Sequence, residues 1–594
     1  MPYTAPIRDL LFDLEHLAGL SSIAQLPGYE DATLDTARAV LDECAKFNQD
    51  VIAPLNRTGD VQPATWADGR VATTPGFKPA FRQFVEAGWQ GLQHPAQFGG
   101  QGLPKSIGAA CTEMLNSANL SFALCPLLSD GAIEALLTAG SDAQKQRYIP
   151  RLISGQWTGT MNLTEPQAGS DLALVRSRAE PQGDGTYRIF GQKIFITYGE
   201  HDMAENIVHL VLARLPDAPP GVKGISLFIV PKVLEDGRRN DVWCASIEHK
   251  LGIKASPTAV LVYGDGKGEV GAGAIGELVG EPNRGLEYMF IMMNAARYAV
   301  GLQGIAVAER AYQQAAAYAK DRVQSRPVDG SSAQAVPIVH HPDVRRMLMT
   351  MRALTEGCRA LALVAASLHD VGHAHPDAQQ RAAHRAAYEF LVPLVKGYST
   401  EMSIEVASLG VQVHGGMGFI EETGAAQYYR DARILTIYEG TTAIQANDLV
   451  GRKTVRDGGQ LALQFAARVA QTEAALQASG NHQAQAMAAQ LAAARGAYEQ
   501  VVRFIAEHGK SNPNAAYAGS VPYLLLAGNL LAGWQLAQSW LATRELPAED
   551  AAFAAAKRAT AAFYCAHILP RCSAWRDAVL QGADSVMALP VEAF

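Results

Sequence analysis

The spacing of apolar residues changes twice along the chain, from helical to strand-like and back to helical. Residues before about 156 are mostly helical in pattern, as in Leu34–Asn48. After residue 157, short β-rich runs alternate with turns rich in Gly and Pro. The runs predicted as strands are Tyr187–Phe190, Lys193–Thr197, Ile207–Ala213 and Ile225–Val230. Further on, long helices are predicted over Gly285–Val323, Pro342–Leu368, Asp377–Leu409 and Thr423–Leu435.

This order of elements predicts an α+β fold with segregated layers. We expect an N-terminal arm and helical domain at 1–156, a small β-barrel or sandwich domain at 157–282, and a four-helix bundle at 283–455. Residues 456–594 predict an additional helical domain, because 38 of these 139 residues are alanine. The same segment has 10 basic and 10 acidic residues. We therefore expect it to pack on the core or a sister subunit, and to shape assembly or substrate access.

Composition narrows the classes of function. The net charge of −8 gives no global positive field toward nucleic acid or anionic membranes. The 7 cysteines contain no CxxC pair, which favours a reducing compartment, and we expect a cytoplasmic protein with no metal site. The most apolar segment, Tyr523–Ala542, carries Asn529, Gln535 and Gln538, so it predicts a buried helix and no transmembrane segment.

Three short motifs are candidates for chemistry. Met161–Asp171 (MNLTEPQAGSD) combines a hydroxyl, a Pro-fixed turn and a Gly-Ser pair whose N–H groups suit an anion, although alone it is an ordinary loop. Gln412–Phe419 (QVHGGMGF) has paired glycines, which either let the backbone come close to a bound phosphate or simply form a turn that ends a helix. In Ile434–Gln445 (ILTIYEGTTAIQ), Glu439 is either a desolvated base with a raised pKa or an exposed hinge. Thr441 and Thr442 are placed to cap the helix that follows.

Six segments in order resemble the acyl-CoA dehydrogenase family: GWQGL with FGGQGLP, LTEPQAGSD, GQKIFIT, DRVQ, VQVHGGMGF and YYRDARILTIYEGTT. They run from Gly88 to Thr442. The long tail and the N-terminal arm resemble a bacterial branch that acts on 3-(methylthio)propanoyl-CoA or on fatty acyl-CoAs. The resemblance implies FAD-dependent oxidation of an acyl-CoA to the trans-2-enoyl-CoA. Glu439 would remove the α-proton, a hydride would pass to flavin N5, and an electron-transfer flavoprotein would receive the electrons.

The resemblance also implies a homodimer or homotetramer, no nucleic-acid partner, and a set of binding residues. The implied cofactor contacts are Met161, Leu163, Thr164, Gly169, Ser170, Phe195, Ile196, Thr197, Arg322, Gln324, Gln412, Gly415, Gly416 and Thr441. The implied substrate contacts are Ser170, Asn294, Arg297 and Gly440. Gln412–Gly416 would come from a neighbouring subunit. The chain departs from the family pattern at Ser325-Arg326, where an aromatic-Gly pair is usual, and at Asn294, where Asp is usual.

Three alternative functions remain open at this point. An acyl-CoA oxidase of the same fold would pass electrons to oxygen. A DNA-associated damage-response flavoprotein would need a basic face on the tail, which has no excess of positive charge. A catalytically silent scaffold is disfavoured by the intact Glu439.

Overall fold

The computed structural model describes residues 2–594 and confirms the α+β architecture, with helices, a central sheet and further helices along the chain. Its strands are β1 Thr65–Ala67, β2 Arg70–Ala72, β3 Trp157–Asn162, β4 Arg178–Pro181, β5 Thr186–Thr197, β6 Asn206–Ala213, β7 Ser226–Pro231, β8 Val242–Ile247, β9 Thr258–Tyr263 and β10 Ala274–Val279.

Its helices are α1 Ile7–His16, α2 Leu20–Ile23, α3 Leu34–Phe47, α4 Leu55–Val61, α5 Phe77–Glu86, α6 Lys105–Ala118, α7 Leu120–Ala139, α8 Asp142–Ile153, α9 Gly285–Asp321, α10 Pro342–Ala374, α11 Ala378–His414, α12 Gly416–Phe419, α13 Ala425–Ala432, α14 Thr442–Val450, α15 Gln460–Ala478, α16 His482–Ser511, α17 Pro513–Ala518, α18 Ser520–Ala542, α19 Ala551–Phe563, α20 Arg571–Gln581 and α21 Ala583–Val586.

The chain forms two compact units that are each built from separate pieces of sequence. The sheet unit contains Phe47–Leu103 and Ala118–Ala296, and the helical unit contains the residues up to Lys46, Pro104–Ser117 and Arg297–Phe594.

The sheet unit is organised around one curled sheet with the strand order β3-β6-β7-β10-β5-β9-β8, and β4 pairs with β5. The pair β3–β6 is parallel, whereas the other neighbours are antiparallel. Buried apolar residues such as Ile189, Val211 and Phe228 form its core. The sheet's long strand β5 replaces two predicted strands, Tyr187–Phe190 and Lys193–Thr197, because Gly191 and Gln192 between them stay paired with β9.

The helix α7 packs on β3 within the sheet unit. The Gly159 N–H donates to Ser129 Oγ at 3.1 Å, and a Cβ placed on Gly159 would lie 2.5 Å from Cβ of Ala132. Among residues 2–594, α7 is the one helix long and apolar enough to cross a membrane, and 83% of its most apolar window is buried in the protein. The N-terminal region also contains the small β1–β2 hairpin, which the helical pattern of that region did not predict.

The helical unit is built on α9, α10 and α11, whose predicted positions are confirmed with ends moved by a few residues. The predicted helix Thr423–Leu435 is wrong in its bounds: α13 covers Ala425–Ala432, and a tighter turn, Arg433–Thr436, follows it. The helix thus ends several residues before Glu439, and Glu439 lies in the loop between this turn and α14.

The C-terminal extension, residues 456–594, packs on the bundle, as predicted. A Cβ placed on Gly528 of α18 would lie 2.3 Å from Cγ of Tyr398 on α11, so glycine permits this close approach. The Tyr398 hydroxyl contacts Asn529 Oδ1 at 3.0 Å and the Tyr564 hydroxyl at 2.8 Å. Buried polar groups of the extension are therefore hydrogen-bonded to the bundle, which fixes their relative register.

Candidate active site

The candidate base Glu439 lies in a short loop between the turn Arg433–Thr436 and α14. Its backbone has φ +54°, and Gly440 follows with φ +86°. A non-glycine residue in this left-handed region costs on the order of 1–3 kcal/mol, and it persists only where its surroundings hold it. Thr441 caps α14 by accepting a hydrogen bond from the Ile444 N–H at 3.3 Å, which confirms the predicted cap.

The Glu439 carboxyl is surrounded by protein, although part of the residue is exposed. Burial raises the pKa of Glu439 to about 7, while the cations of Arg297 and Lys396 act in the opposite direction. The sequence interpretation of a desolvated carboxylate with a raised pKa therefore agrees with the structure. A carboxyl with this pKa can accept a proton near neutral pH.

Three polar side chains on neighbouring helices of the helical unit hold the loop: Lys396, Gln445 and Gln303. The Lys396 ammonium donates to the Gly440 carbonyl at 2.6 Å. Gln445 Nε2 donates to the carbonyls of Glu439 and Gly440 at 3.3 and 3.4 Å. The Tyr438 hydroxyl donates to Gln303 Oε1. Sequence reasoning gave none of them a supporting role. Lys396 and Gln303 lie far from Glu439 along the chain, whereas Gln445 lies within the motif Ile434–Gln445.

The two substrate candidates on α9 differ in exposure. Arg297 is only 4% exposed, and its guanidinium interacts electrostatically with Asp448 and Glu439. Burial lowers the pKa of Arg297 against the pull of those two carboxylates. Asn294 is exposed. The structure thus associates Arg297 with the base, and its contact to CoA stays a prediction.

The flavin-side candidates of the sheet unit are brought together by β3, the loop after it and β5. The Ile194 N–H donates to the Thr164 carbonyl at 2.9 Å, which places Thr164 beside β5. Phe195 lies at a bulge between β5 and β9, with φ +59°, and its side chain is 59% exposed. Of their neighbours, Leu163 and Ile196 are buried, Met161 and Thr197 are half-buried, and Gly169 and Ser170 are exposed.

A buried ion pair that the sequence interpretation missed holds this loop. Lys193 Nζ contacts Glu165 Oε1 at 2.8 Å and donates to the Leu163 carbonyl at 3.0 Å. Glu165 also accepts hydrogen bonds from the Ser177 hydroxyl at 2.7 Å and the Arg176 N–H at 2.7 Å. Burial disfavours ionisation of Glu165, but Lys193 and these hydrogen bonds outweigh it and lower the pKa to about 2. The loop therefore has a fixed course.

The candidates for the adenine side of the cofactor lie exposed on two segments of the helical unit. Arg322 and Gln324 follow α9, where the Ile338 N–H donates to the Arg322 carbonyl at 2.8 Å. Gln412 lies near the end of α11, and Gly415 ends that helix with φ +60°. A Cβ on Gly415 or Gly416 would meet open space, so this turn presents bare backbone to its surroundings.

Comparison with known families matches nearly the whole chain. Residues 35–156 match the acyl-CoA dehydrogenase N-terminal domain, residues 160–265 its middle domain and residues 283–453 its C-terminal domain. Residues 465–590 match the family described as acetyl-CoA dehydrogenase C-terminal like.

Three curated relatives match along nearly their full length. The 3-methylmercaptopropionyl-CoA dehydrogenase of Ruegeria pomeroyi is 57% identical over 594 residues, covering 99% of each chain. A broad-specificity linear acyl-CoA dehydrogenase of Mycobacterium tuberculosis is 35% identical and covers 100% of both chains. A butyryl-CoA dehydrogenase of Syntrophomonas wolfei is 34% identical, covering 100% of this chain and 99% of its own.

Solved structures share the fold. ACDH-11 of Caenorhabditis elegans, in complex with C11-CoA, has a TM-score of 0.76 at 20% identity and covers 98% of this chain and 96% of its own. An acyl-CoA dehydrogenase of Bacillus anthracis, complexed with FAD, has a TM-score of 0.75 at 22% identity. The match covers 94% of this chain and 90% of that chain.

Proposed function

Because the chain belongs to the acyl-CoA dehydrogenase family, we propose that it oxidises an acyl-CoA thioester to the trans-2-enoyl-CoA, with Glu439 as the base. The observation that carries this proposal is the environment of the Glu439 carboxyl and its effect on the pKa. This carboxyl lies in a strained loop next to two cations, and burial raises its pKa to about 7. A base that removes a weakly acidic α-proton at neutral pH needs this combination of burial and nearby positive charge.

The chain's own groups account for the proton and for the developing charge. A Glu439 carboxylate oxygen takes the α-proton, and negative charge then develops on the thioester oxygen. Within residues 2–594 the Glu439 N–H donates to no acceptor, so it is available to that oxygen. FAD, when bound, accepts the hydride from the β-carbon. The product leaves as the trans-2-enoyl-CoA, and Glu439 returns its proton to solvent.

The residues of the sheet unit fit an isoalloxazine ring. Phe195 offers an exposed aromatic face, and Thr164 and Thr197 are half-buried beside it. Within residues 2–594 neither threonine hydroxyl forms a hydrogen bond, so both are available to the ring's polar edge. In the helical unit, Arg322 and Gln324 are the proposed contacts of the ADP half, with Gln412, Gly415 and Gly416 of a neighbouring subunit. Thr441 is a further proposed cofactor contact.

We infer a short thioether substrate, 3-(methylthio)propanoyl-CoA, with fatty acyl-CoAs as the broader alternative. The full-length relative named for 3-methylmercaptopropionyl-CoA, at 57% identity, supports the thioether, and the broad-specificity relative at 35% supports the alternative. Ser170, Asn294, Arg297 and Gly440 are the proposed substrate contacts. We propose an electron-transfer flavoprotein as electron acceptor, a homodimer or homotetramer as the assembly, and the cytoplasm as the location. All seven cysteines are buried thiols, which suits that reducing compartment.

The variant Glu439→Gln tests the base. The amide keeps the shape of the side chain and cannot accept the proton, so we expect kcat to fall by about 10²–10⁴-fold while the protein keeps its yellow FAD. Anaerobic bleaching of the flavin by 3-(methylthio)propanoyl-CoA is the measurement. Glu422→Gln, an exposed carboxylate in the same unit, is the matched control. Flavin reduction at the wild-type rate in Glu439→Gln would show that another group is the base.

The same assay with several acceptors and substrates separates the alternatives. We expect turnover with an electron-transfer flavoprotein and little peroxide in air. Rapid peroxide formation without that partner would identify an acyl-CoA oxidase instead. Butyryl-, octanoyl- and palmitoyl-CoA, compared with the thioether, give the chain-length preference through kcat/KM.

A further inference from the structure

A fully buried lysine contacts the loop that carries the base. Lys396 lies in the middle of α11 and is 0% exposed. Lysine is almost never fully buried unless its charge is paired. Within residues 2–594 the ammonium forms no direct salt bridge, and its hydrogen-bond acceptor is the Gly440 carbonyl at 2.6 Å. This buried cation is thus hydrogen-bonded to the carbonyl of the residue that follows Glu439, and it forms no direct ion pair with a carboxylate in the described chain.

The loop needs such support because of its backbone. Glu439 and Gly440 both have positive φ, and only glycine adopts that region readily. Their two carbonyls accept hydrogen bonds from two different helices, Lys396 on α11 and Gln445 on α14. Gln445 is itself 0% exposed. Donors on two packed helices restrict the loop more than either helix alone.

The charges around Lys396 make it more than a hydrogen-bond donor. Glu439, Arg297 and Glu401 act on its ammonium, and burial lowers its pKa to about 8. Arg297 and Lys396 together favour the ionised form of Glu439, and Asp448 and Arg452 act on Arg297 in turn. Removing the Lys396 charge leaves Arg297 as the one cation acting on the base in the described chain.

The C-terminal extension supports the helix at this same point. Gly397 follows Lys396, and a Cβ placed on it would lie 2.7 Å from Leu524 of α18 and 3.4 Å from Cβ of Gln445. The extension also contacts the turn that follows α14, where the Thr454 and Tyr523 hydroxyls are 2.9 Å apart. The helix α18 itself packs against both α11 and α14, the two helices that donate to the loop.

We propose that Lys396 is a positioning residue. It holds the Gly440 carbonyl, and with it the left-handed course of Glu439 and Gly440, and so aims the carboxylate at the substrate's α-carbon. The C-terminal extension keeps Lys396 in place by packing α18 behind it. This proposal rests on the proposed function, because it assumes that Glu439 is the base. It assigns the extension a role in catalytic geometry in addition to packing.

The test compares Lys396→Met with Lys396→Arg in the full-length holoenzyme. We expect Lys396→Met to lower kcat by about 100-fold, the cost of a misplaced reacting group, with KM within about threefold of wild type. The isotope effect on kcat with α-deuterated substrate should rise, because proton removal becomes slower than the other steps. The acidic limb of the pH profile should move to higher pH. Lys396→Arg, which keeps charge and donor, should recover most of kcat.

A matched control and a second variant keep the result decisive. Lys453→Met removes a half-buried lysine that pairs with Glu389 at 3.4 Å, and we expect wild-type kcat. Gln445→Leu removes the other donor without deleting a buried charge, so kcat should fall and the isotope effect should rise there too. This variant decides the question if Lys396→Met does not fold.

The outcomes separate this proposal from the proposed function. Wild-type kcat, isotope effect and acidic limb in Lys396→Met or Gln445→Leu would overturn the positioning role while Glu439 stays the base. A lower melting temperature with unchanged kinetics in the folded fraction would also overturn it, since Lys396 would then be structural only. No turnover of any acyl-CoA by the wild-type holoenzyme would overturn the proposed function itself.

Discussion

At the scale of single residues, the reactivity of Glu439 reflects opposing effects of burial and charge. Burial disfavours the carboxylate, whereas Arg297 and Lys396 favour it, and the resulting pKa is about 7. With burial alone the base would be protonated at neutral pH, and with the cations alone it would be too weak a base. The balance leaves a useful fraction of carboxylate with enough proton affinity for the α-proton.

This balance predicts how kcat/KM depends on pH. A base must be deprotonated, so kcat/KM should fall about tenfold per pH unit below an apparent pKa of about 7. Arg297 is the larger of the two charges that lower the pKa of Glu439. Arg297→Gln should therefore move the acidic limb to higher pH. A raised KM with an unmoved limb would contradict this and would favour a pure CoA contact. Initial rates between pH 5 and 9 are the measurement.

The base could be found from sequence, but the two buried lysines that hold the site loops could not. Glu439, Gly440 and Thr441 lie in one contiguous segment, so the loop, the cap and the desolvation of the carboxyl were all predictable. Lys396 lies 44 residues before the carbonyl it holds, and Lys193 lies 28 residues after Glu165. A lone lysine within a helix or strand looks like a solvated charge until packing places it.

At the scale of elements, glycines decide how closely helices approach. The sequence pattern located the long helices and the extension, because apolar periodicity persists over many residues. It did not show which faces meet. At Gly528 the absence of a Cβ lets α18 lie against the Tyr398 ring, and no periodicity distinguishes this glycine from others. The β5 bulge at Phe195 was missed for a similar reason, since a bulge depends on the partner strand.

Gly528→Ala is predicted to destabilise the helical unit by overpacking. The new Cβ would lie 2.3 and 2.4 Å from Cγ and Cβ of Tyr398, atoms that cannot move without shifting α11. We expect a loss of about 1–3 kcal/mol, measured as a lower urea midpoint.

The matched control is Gly496→Ala on α16, where a Cβ would meet open space. Alanine is the better helix former, so this change should raise stability by roughly 0.5–1 kcal/mol. Equal midpoints for the two variants would contradict close packing at Gly528.

At the scale of the whole molecule, a buried ionic cluster joins the two ends of the chain to the bundle. Lys557 of α19 is 1% exposed, and its ammonium contacts Asp9 at 2.7 Å, Glu356 at 3.1 Å and Asp13 at 3.8 Å. Burial raises the pKa of Asp13 to about 7 despite this cation. The N-terminal arm, α10 and the extension therefore share one charge network within the helical unit.

Lys557→Met is predicted to release the N-terminal arm. The change removes the ion-pair partner of Asp9 and Asp13, whereas Glu356 keeps its pair with Arg352. Breaking a buried pair costs about 3–5 kcal/mol. We expect a lower urea midpoint and faster proteolytic cleavage after Arg8. Lys510→Met, at an exposed position of α16, should stay within about 0.5 kcal/mol of wild type. Unchanged cleavage in Lys557→Met would contradict the role of the cluster.

The meeting of Asp9 with Lys557 also fixes an order of events during biosynthesis. Asp9 leaves the ribosome long before its counter-ion, Lys557, is made. The sheet unit is fully synthesised by Ala296, so it can fold on the ribosome. The apolar faces of α10 and α11 await the extension for roughly 10–40 s at ordinary elongation rates. The nascent chain therefore exposes the apolar faces of α10 and α11 until the extension is made, and during this interval a chaperone would protect it from aggregation.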